Sequence, residues 1–111
     1  MKAAVFTLPA YDRRASKILS RAEKMALEDH IAETPEAHPI VAGTGGVRKA
    51  RWGRGGRGKS GGVRAIYYFH YGRQAIYMLT LYAKSDQADL TEDDKRDIKR
   101  MVARLKGRTI E

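Results

Sequence analysis

The first third of the chain has the pattern of apolar and polar residues expected of one strand followed by two helices. Residues 2–7 are mainly apolar and end just before Pro9, which lacks a backbone donor, so this stretch predicts a strand. The next apolar positions have the i, i+4, i+7, i+8 spacing of an amphipathic helix, and they are Tyr11, Ala15, Ile18 and Leu19. Ser20 and Glu23 have the spacing of a capping box, which predicts that a second helix begins there and ends before Pro35.

The middle of the chain predicts a loop that leads into a basic strand. Residues 37–46 contain proline and three glycines but no carboxylate, lysine or arginine. In the strand that follows, alternation places Ala50 and Trp52 on one face and Lys49 and Arg51 on the other. Two cations would therefore project from the same side of a sheet.

Two more strands and a last helix follow. Residues 63–71 are rich in aromatic and β-branched side chains, residues 72–73 fit a hairpin tip, and residues 74–83 are apolar on both faces, as expected of a strand inside a sheet. A helix is predicted between Thr91, which has a capping partner in Asp94, and Gly107. Its apolar stripe consists of Ile98, Met101, Val102 and Leu105.

This order of elements predicts an α+β fold, with a small antiparallel sheet of about four strands, two N-terminal helices and one C-terminal helix. We expect residues 1–111 to form a single domain. The absence of cysteine excludes a disulfide framework, a thiolate metal site and a cysteine nucleophile. The longest mainly apolar run, residues 75–83, is far shorter than the roughly 20 residues that span a bilayer. We therefore expect a soluble, cytoplasmic protein without a membrane partner.

The positive charge is concentrated in one segment of the sequence. No carboxylate lies between Glu36 and Asp86, whereas the same segment carries nine cations. They are Arg48, Lys49, Arg51, Arg54, Arg57, Lys59, Arg64, Arg73 and Lys84. Elsewhere 13 cations balance 13 carboxylates, so the net charge of +9 comes from this segment. Such a concentration indicates a polyanionic partner, and nucleic acid fits best.

The glycine-rich stretch at residues 53–60, GRGGRGKS, satisfies the phosphate-loop pattern G-x-x-x-x-G-K-[ST]. A working phosphate loop opens a helix, whose first backbone amides hold the phosphates. Here two glycines and an aromatic strand follow instead, so we reject nucleotide hydrolysis. We interpret the glycines as a flexible hairpin tip that lets arginines follow a phosphate backbone.

The remaining residues limit the chemistry that the chain can perform. His30, His38 and His70 fall on a helix, a loop and a strand without metal-ligand spacing, so we expect no metal and no cofactor. Arginines and lysines without a metal suit a substrate that carries its own nucleophile, as RNA does in its 2′-hydroxyl. Charge alone favours the simpler interpretation, in which the cations only bind phosphate. Tyr82, close to Lys84, is a candidate for stacking or proton transfer.

Two stretches carry a resemblance to a known family. The run TGGVRKARWGRGGRGKSGGVRAIYYF at residues 44–69, with LYAKSDQADLT at residues 81–91 and a closing amphipathic helix, resembles the RelE/ParE superfamily of bacterial toxins, in its HigB-like branch. The resemblance implies a type II toxin with a RelE-like fold that enters the ribosomal A site and cuts mRNA through the 2′-hydroxyl without metal. It also implies a cognate antitoxin as partner, of the DNA-binding helix-turn-helix type.

The resemblance also implies site residues. The catalytic positions of the family fall here on Lys49, Arg51, Arg64 and Lys84. We expect Arg64 and Lys84 to hold the scissile phosphate, and Lys49 or Arg51 to assist the 2′-oxygen. The expected RNA-binding residues are Arg48, Arg54, Arg57, Lys59 and Tyr82. RelE has a further arginine and a tyrosine near its carboxy terminus, whereas here Ser85 follows Lys84 and no later tyrosine occurs, which leaves the general acid and base unassigned.

Two alternatives use the same scaffold. A ParE-like inhibitor of DNA gyrase would need no cationic cleft, and the nine-cation segment counts against it. A non-catalytic RNA-binding module fits the charge but not the resemblance over the whole chain.

Overall fold

The computed structural model describes residues 2–53 and 62–107. Its four strands are β1 (Ala4–Thr7), β2 (Arg48–Trp52), β3 (Val63–His70) and β4 (Ala75–Ala83). Its three helices are α1 (Pro9–Ile18), α2 (Arg21–Glu33) and α3 (Glu92–Gly107). The α+β fold, with two N-terminal helices and one C-terminal helix, is confirmed. Within the described ranges, no helix is both long enough and apolar enough to cross a membrane.

The strand order in the sheet is β1-β4-β3-β2. Strands β2, β3 and β4 are antiparallel, as predicted, but β1 pairs with β4 in parallel, so the sheet is mixed rather than wholly antiparallel. The helical crossover through α1 and α2 explains the difference, because it returns the chain to the end of the sheet at which β1 began. Strand β4 lies inside the sheet, in agreement with its apolar residues on both faces.

The predicted helix boundaries are confirmed by hydrogen bonds. Ser20 Oγ accepts the Glu23 N–H, and the Glu23 carboxylate accepts the Ser20 N–H, which completes the capping box of α2. The same exchange between Thr91 and Asp94 precedes α3. Helix α2 ends at Glu33, two residues before the proline.

The two faces of the sheet bury separate apolar clusters. The cluster between the sheet and helices α1 and α2 includes Tyr11, Ala15, Leu27, Ile31, Ala50, Val63, Ala65, Tyr67, Ile76, Met78 and Leu81. Under α3 lie Val47, Ile66, Tyr68, Leu79, Tyr82, Leu90, Ile98 and Val102. The predicted stripe of α3 belongs entirely to the second cluster, which confirms the orientation of that helix.

Two connections position the strands. The predicted tip at residues 72–73 is a 3₁₀ turn over Tyr71–Arg73, and the residue with a left-handed backbone is Gln74 (φ 50°) rather than glycine. The loop at 37–46 folds against the outer edge of β2, where Ile40 forms a bridge with Arg48 and the Val41 N–H donates to Val47 O. This contact covers a strand edge that would otherwise be open to pairing.

Candidate functional site

A row of polar side chains crosses three strands on the α3 side of the sheet. Arg51 of β2 lies directly opposite Arg64 of β3, and Arg64 lies opposite Tyr82 of β4. Side chains paired in this way have Cβ atoms roughly 4.5–5.5 Å apart. Like charges directly opposite each other are unfavourable in a sheet, so the Arg51–Arg64 pair favours an anion nearby, and Arg64 Nη1 also donates to Val63 O at 3.4 Å. We call these three residues the cationic row.

An irregularity in β4 makes the row possible. Ile66 pairs with Thr80, but the next residue, Tyr67, pairs with Met78, so Leu79 is the extra residue of a β-bulge. A bulge shifts the alternation of side chains beyond it by one position.

The shift reverses the orientation of the end of β4. Met78 and Leu81 both lie in the cluster under α1 and α2, whereas Leu79 and Tyr82 both lie under α3. Without the bulge, Tyr82 would face the same side as Met78, away from Arg64. Sequence alternation cannot show this change, because β4 is apolar on both faces.

Lys84 joins this end of the sheet through the backbone. It follows β4 by one residue and donates its N–H to Gly62 O at 3.1 Å. A Cβ atom at Gly62 would lie 2.0 Å from Trp52 O, so only glycine permits this close approach of β2 to the start of β3. Lys84 is exposed and follows Tyr82 of the row by two residues.

A groove of about 480 Å³ runs beside the row. Lys49 and Arg51 lie along it, which confirms that they share one face of β2. Its other wall consists of residues 38–41, and Asp89, from the loop before α3, completes it. Asp89 Oδ1 lies 3.5 Å from Lys49 Nζ and accepts the Leu90 N–H at 2.8 Å.

Burial and charge set the protonation of two groups here. Burial raises the pKa of the Tyr82 phenol, and Asp89 raises it further while Arg64 opposes the change, so the phenol is neutral at pH 7. The Leu90 N–H, followed by Lys49, lowers the pKa of the Asp89 carboxyl, which is therefore ionised. The phenol and the carboxylate could thus give and take a proton, respectively.

Arg64 and Tyr82 are more enclosed than the sequence suggests. Arg64 is 3% exposed and Tyr82 is 2% exposed. The ring of Tyr82 therefore offers no face for a base to stack on, and its Oη is the buried side-chain polar atom without a hydrogen-bond partner among the described residues. Stacking on Tyr82 would require its ring to become exposed, and proton transfer stays a prediction.

Other predicted cations lie elsewhere. The Arg48 guanidinium donates to His38 O at 2.7 Å and to Glu36 O at 3.2 Å, so it holds the loop at 37–46 rather than facing the groove. Arg73 lies at the far end of β3 and donates to the Tyr77 hydroxyl. The six described cations of the segment therefore do not form one patch. Arg54, Arg57 and Lys59 lie outside the described residues.

Two histidines that seemed separate in the sequence are in contact. His30 Nε2 lies 3.2 Å from His38 Nε2, and the His30 ring packs beside Trp52. The interpretation of the histidines as scattered is wrong for this pair, because the loop at 37–46 folds back over α2. Among the described residues, no group of three or more histidine, aspartate and glutamate side chains could hold a metal ion.

A second cavity lies on the other side of Tyr82 and was not predicted. It is lined by Arg14 and Lys17 of α1 and by the turn after β4, and Arg14 Nη1 lies 3.5 Å from Leu81 O. In the sequence these two cations look like the solvated face of an amphipathic helix. Only the packing of α1 on β4 brings them near the row.

A family model for the RelE toxin of the RelE/RelB toxin–antitoxin system matches residues 5–111. The chain belongs to the RelE toxin family. RelE membership makes the chain a toxin of a toxin–antitoxin system and implies a cognate antitoxin as its partner.

Proposed function

We propose that this RelE-family toxin is a ribosome-dependent endoribonuclease that cuts mRNA in the A site. The cut uses the 2′-hydroxyl of the RNA as nucleophile and requires no metal in the toxin. The observation that carries the proposal is the cationic row, in which two arginines face each other beside a neutral phenol. Lys49 lines the groove beside it, and Lys84 follows Tyr82 by two residues in the sequence.

The reaction needs positive charge where the phosphorane gains negative charge. Arginines fixed on adjacent strands are suited to this task, because their positions do not have to change during the reaction. Arg64 is buried, so water screens its charge less than it screens the charge of an exposed side chain. Arg64 and Lys84 neutralise the scissile phosphate, and Lys49 or Arg51 assists the 2′-oxygen. Arg54, Arg57 and Lys59 contact the flanking RNA.

The HigB-like branch and the kind of antitoxin are part of this proposal. The motif G-x-R-G-K-S-G-G-x-R-x-I-Y-Y at residues 55–68 supports the branch, together with Y-A-K at residues 82–84. An antitoxin of the helix-turn-helix type fits the same branch. It should carry acidic side chains where it meets the groove, or block ribosome entry from another face.

One experiment tests the activity. Purified toxin is added to a translating extract, and the 5′ ends of the mRNA fragments are mapped. We expect cuts in register with codons, and none in the same mRNA without ribosomes. Intact mRNA would overturn the proposal, and intact mRNA with double-strand breaks in DNA would indicate a gyrase inhibitor instead.

A further inference from the structure

Asp89 is a carboxylate in a groove that is otherwise built from cations and apolar residues. It comes from the loop between β4 and α3, five residues beyond Lys84. Its position is fixed on two sides, because Oδ1 accepts the N–H of the buried Leu90 and lies 3.5 Å from Lys49 Nζ. A carboxylate in a phosphate-binding groove repels the substrate, so we expect Asp89 to have a function that offsets this repulsion.

The environment of Asp89 suits a proton acceptor. Its side chain is 60% exposed, so a nucleotide in the groove can reach it. It lines the same groove as Arg51, which places it beside the cationic row. It is ionised at neutral pH, so its oxygens have lone pairs that can accept a proton, and the Leu90 N–H that lowers its pKa also makes it a weaker base than an ordinary carboxylate.

The other side chains of the groove are less suited. Lys49 and Arg51 are cationic side chains that donate hydrogen bonds and do not accept them. His38 also lines the groove, but its Nε2 faces His30 Nε2 at 3.2 Å. Among the described side chains of the groove, Asp89 is therefore the best-placed base.

We propose that Asp89 is the general base that takes the proton from the attacking 2′-hydroxyl, an inference that rests on the proposed endoribonuclease activity. The 2′-O–H bond breaks and its proton moves to the Asp89 carboxylate. The 2′-oxygen forms a bond to phosphorus, and the bond from phosphorus to the 5′-oxygen breaks. The 5′-oxygen takes a proton from solvent, and the products are a 2′,3′-cyclic phosphate and a 5′-hydroxyl. Asp89 then returns its proton to water.

The test compares Asp89→Asn with Asp86→Asn. Both variants remove one carboxylate from the same loop, so a general change in RNA affinity affects them alike. Single-turnover cleavage of ribosome-bound mRNA is measured between pH 6 and 8.5. The Asp89→Asn rate should fall by roughly 100-fold or more, the usual contribution of a general base, and Asp86→Asn should match the wild type.

The pH dependence of the cleavage rate distinguishes the loss of a general base from the loss of a structural contact. The wild-type rate should be flat over this range, because Asp89 is ionised throughout. The Asp89→Asn rate should instead rise about tenfold per pH unit, because hydroxide replaces the missing base. A variant that had only lost the contact with Lys49 would be slower without this slope, and that result would overturn the proposal.

Two further results would also overturn it. Cleavage by Asp89→Asn within about threefold of Asp86→Asn would remove Asp89 from the reaction, since a general base contributes roughly 100-fold or more. If the wild-type rate declined as the pH dropped below about 6.5, the ordinary pKa of histidine, the proton transfer would be assigned to His38. A wild-type toxin that cuts nothing at any pH would instead refute the proposed function itself.

Discussion

Polar groups on the two sides of the sheet formed by β2, β3 and β4 have opposite surroundings. On the side of α2, Arg48 donates to two loop carbonyls, and the Tyr67 hydroxyl donates to Pro35 O at 2.7 Å. On the side of α3, Arg51 faces another arginine, and the Tyr82 hydroxyl has no partner among the described residues. The polar groups on the α2 side thus stabilise the fold. Those on the α3 side form an arrangement that favours an anionic ligand.

The largest expected effect comes from removing a member of the row. Arg64→Ala should lower cleavage by roughly 100- to 1,000-fold, the usual loss for one preorganised donor to a developing negative charge. Single-turnover cleavage on the ribosome measures it, and thermal unfolding checks the fold. Arg21→Ala is the control, since that exposed arginine lies on the α2 side of the sheet. An Arg64→Ala toxin that is folded and fully active would contradict the role of the α3 side in cleavage.

On the α2 side of the sheet we expect a loss of stability without a loss of cleavage. Arg48→Ala should destabilise the protein by about 1.5–3 kcal/mol, because hydrogen bonds from a charged donor to two carbonyls are lost. Cleavage at low temperature should stay close to that of the wild type. Denaturant unfolding gives the first value, and loss of cleavage in a protein that is still folded would contradict the separation of the two sides.

A substitution at Gly62 tests the close approach of β2 to the start of β3. Gly62→Ala places a methyl group against Trp52 O, which we expect to cost about 1–3 kcal/mol, as overpacking does. It should also displace Lys84, whose N–H is bonded to Gly62 O, and so reduce cleavage. Denaturant unfolding measures the first effect and ribosome-bound cleavage the second. Unchanged stability would show that β2 and β3 are less closely packed than described.

Tyr67 and Tyr82, both buried, should respond differently to loss of their hydroxyl groups. Tyr67→Phe removes a hydrogen bond and leaves Pro35 O unpaired, which should cost about 1 kcal/mol. Tyr82→Phe removes a buried hydroxyl without a described partner and should leave stability unchanged or slightly higher. Parallel unfolding curves give both values. A Tyr82→Phe loss as large as that of Tyr67→Phe would mean that the Tyr82 hydroxyl is satisfied.

The last effect is confined to alkaline pH. Burial raises the pKa of Tyr67 to about 12, and Arg48 opposes the shift. Because the folded-state pKa lies above the ordinary value of about 10, the neutral phenol stabilises the fold below pH 10, and this contribution is lost as the pH rises towards 12. Tyr67→Phe should lack this part of the decline. Equal slopes for both proteins between pH 10 and 12 would contradict the shift.

The sequence predicted the elements well because local signals specify them. The capping pairs at Ser20 and Thr91 and the stripe of α3 are such signals, and each is found in place. Alternation in β2 likewise predicted that Lys49 and Arg51 share one face. The parallel pairing of β1 could not be predicted in this way, since it depends on where a long helical crossover returns the chain.

The site was predictable only in part, because its details depend on packing. No pattern in β4 marks the extra residue at Leu79 that turns Tyr82 towards Arg64. Arg48 and Arg51 look alike in the sequence, yet their contacts differ because they point to opposite sides of one strand. Asp89 reads as an ordinary residue before a helix, and only the fold brings it to Lys49.

A single 2′-deoxy substitution in the mRNA tests most directly whether the cationic row makes RNA cut itself. The substitution is placed at the nucleotide 5′ of a mapped cut, and the message is bound in the A site with the wild-type toxin. We expect cleavage at that position to disappear, while the all-ribose message yields a 2′,3′-cyclic phosphate. Cleavage of the substituted message at the same bond would contradict a mechanism in which the attacking oxygen belongs to the RNA.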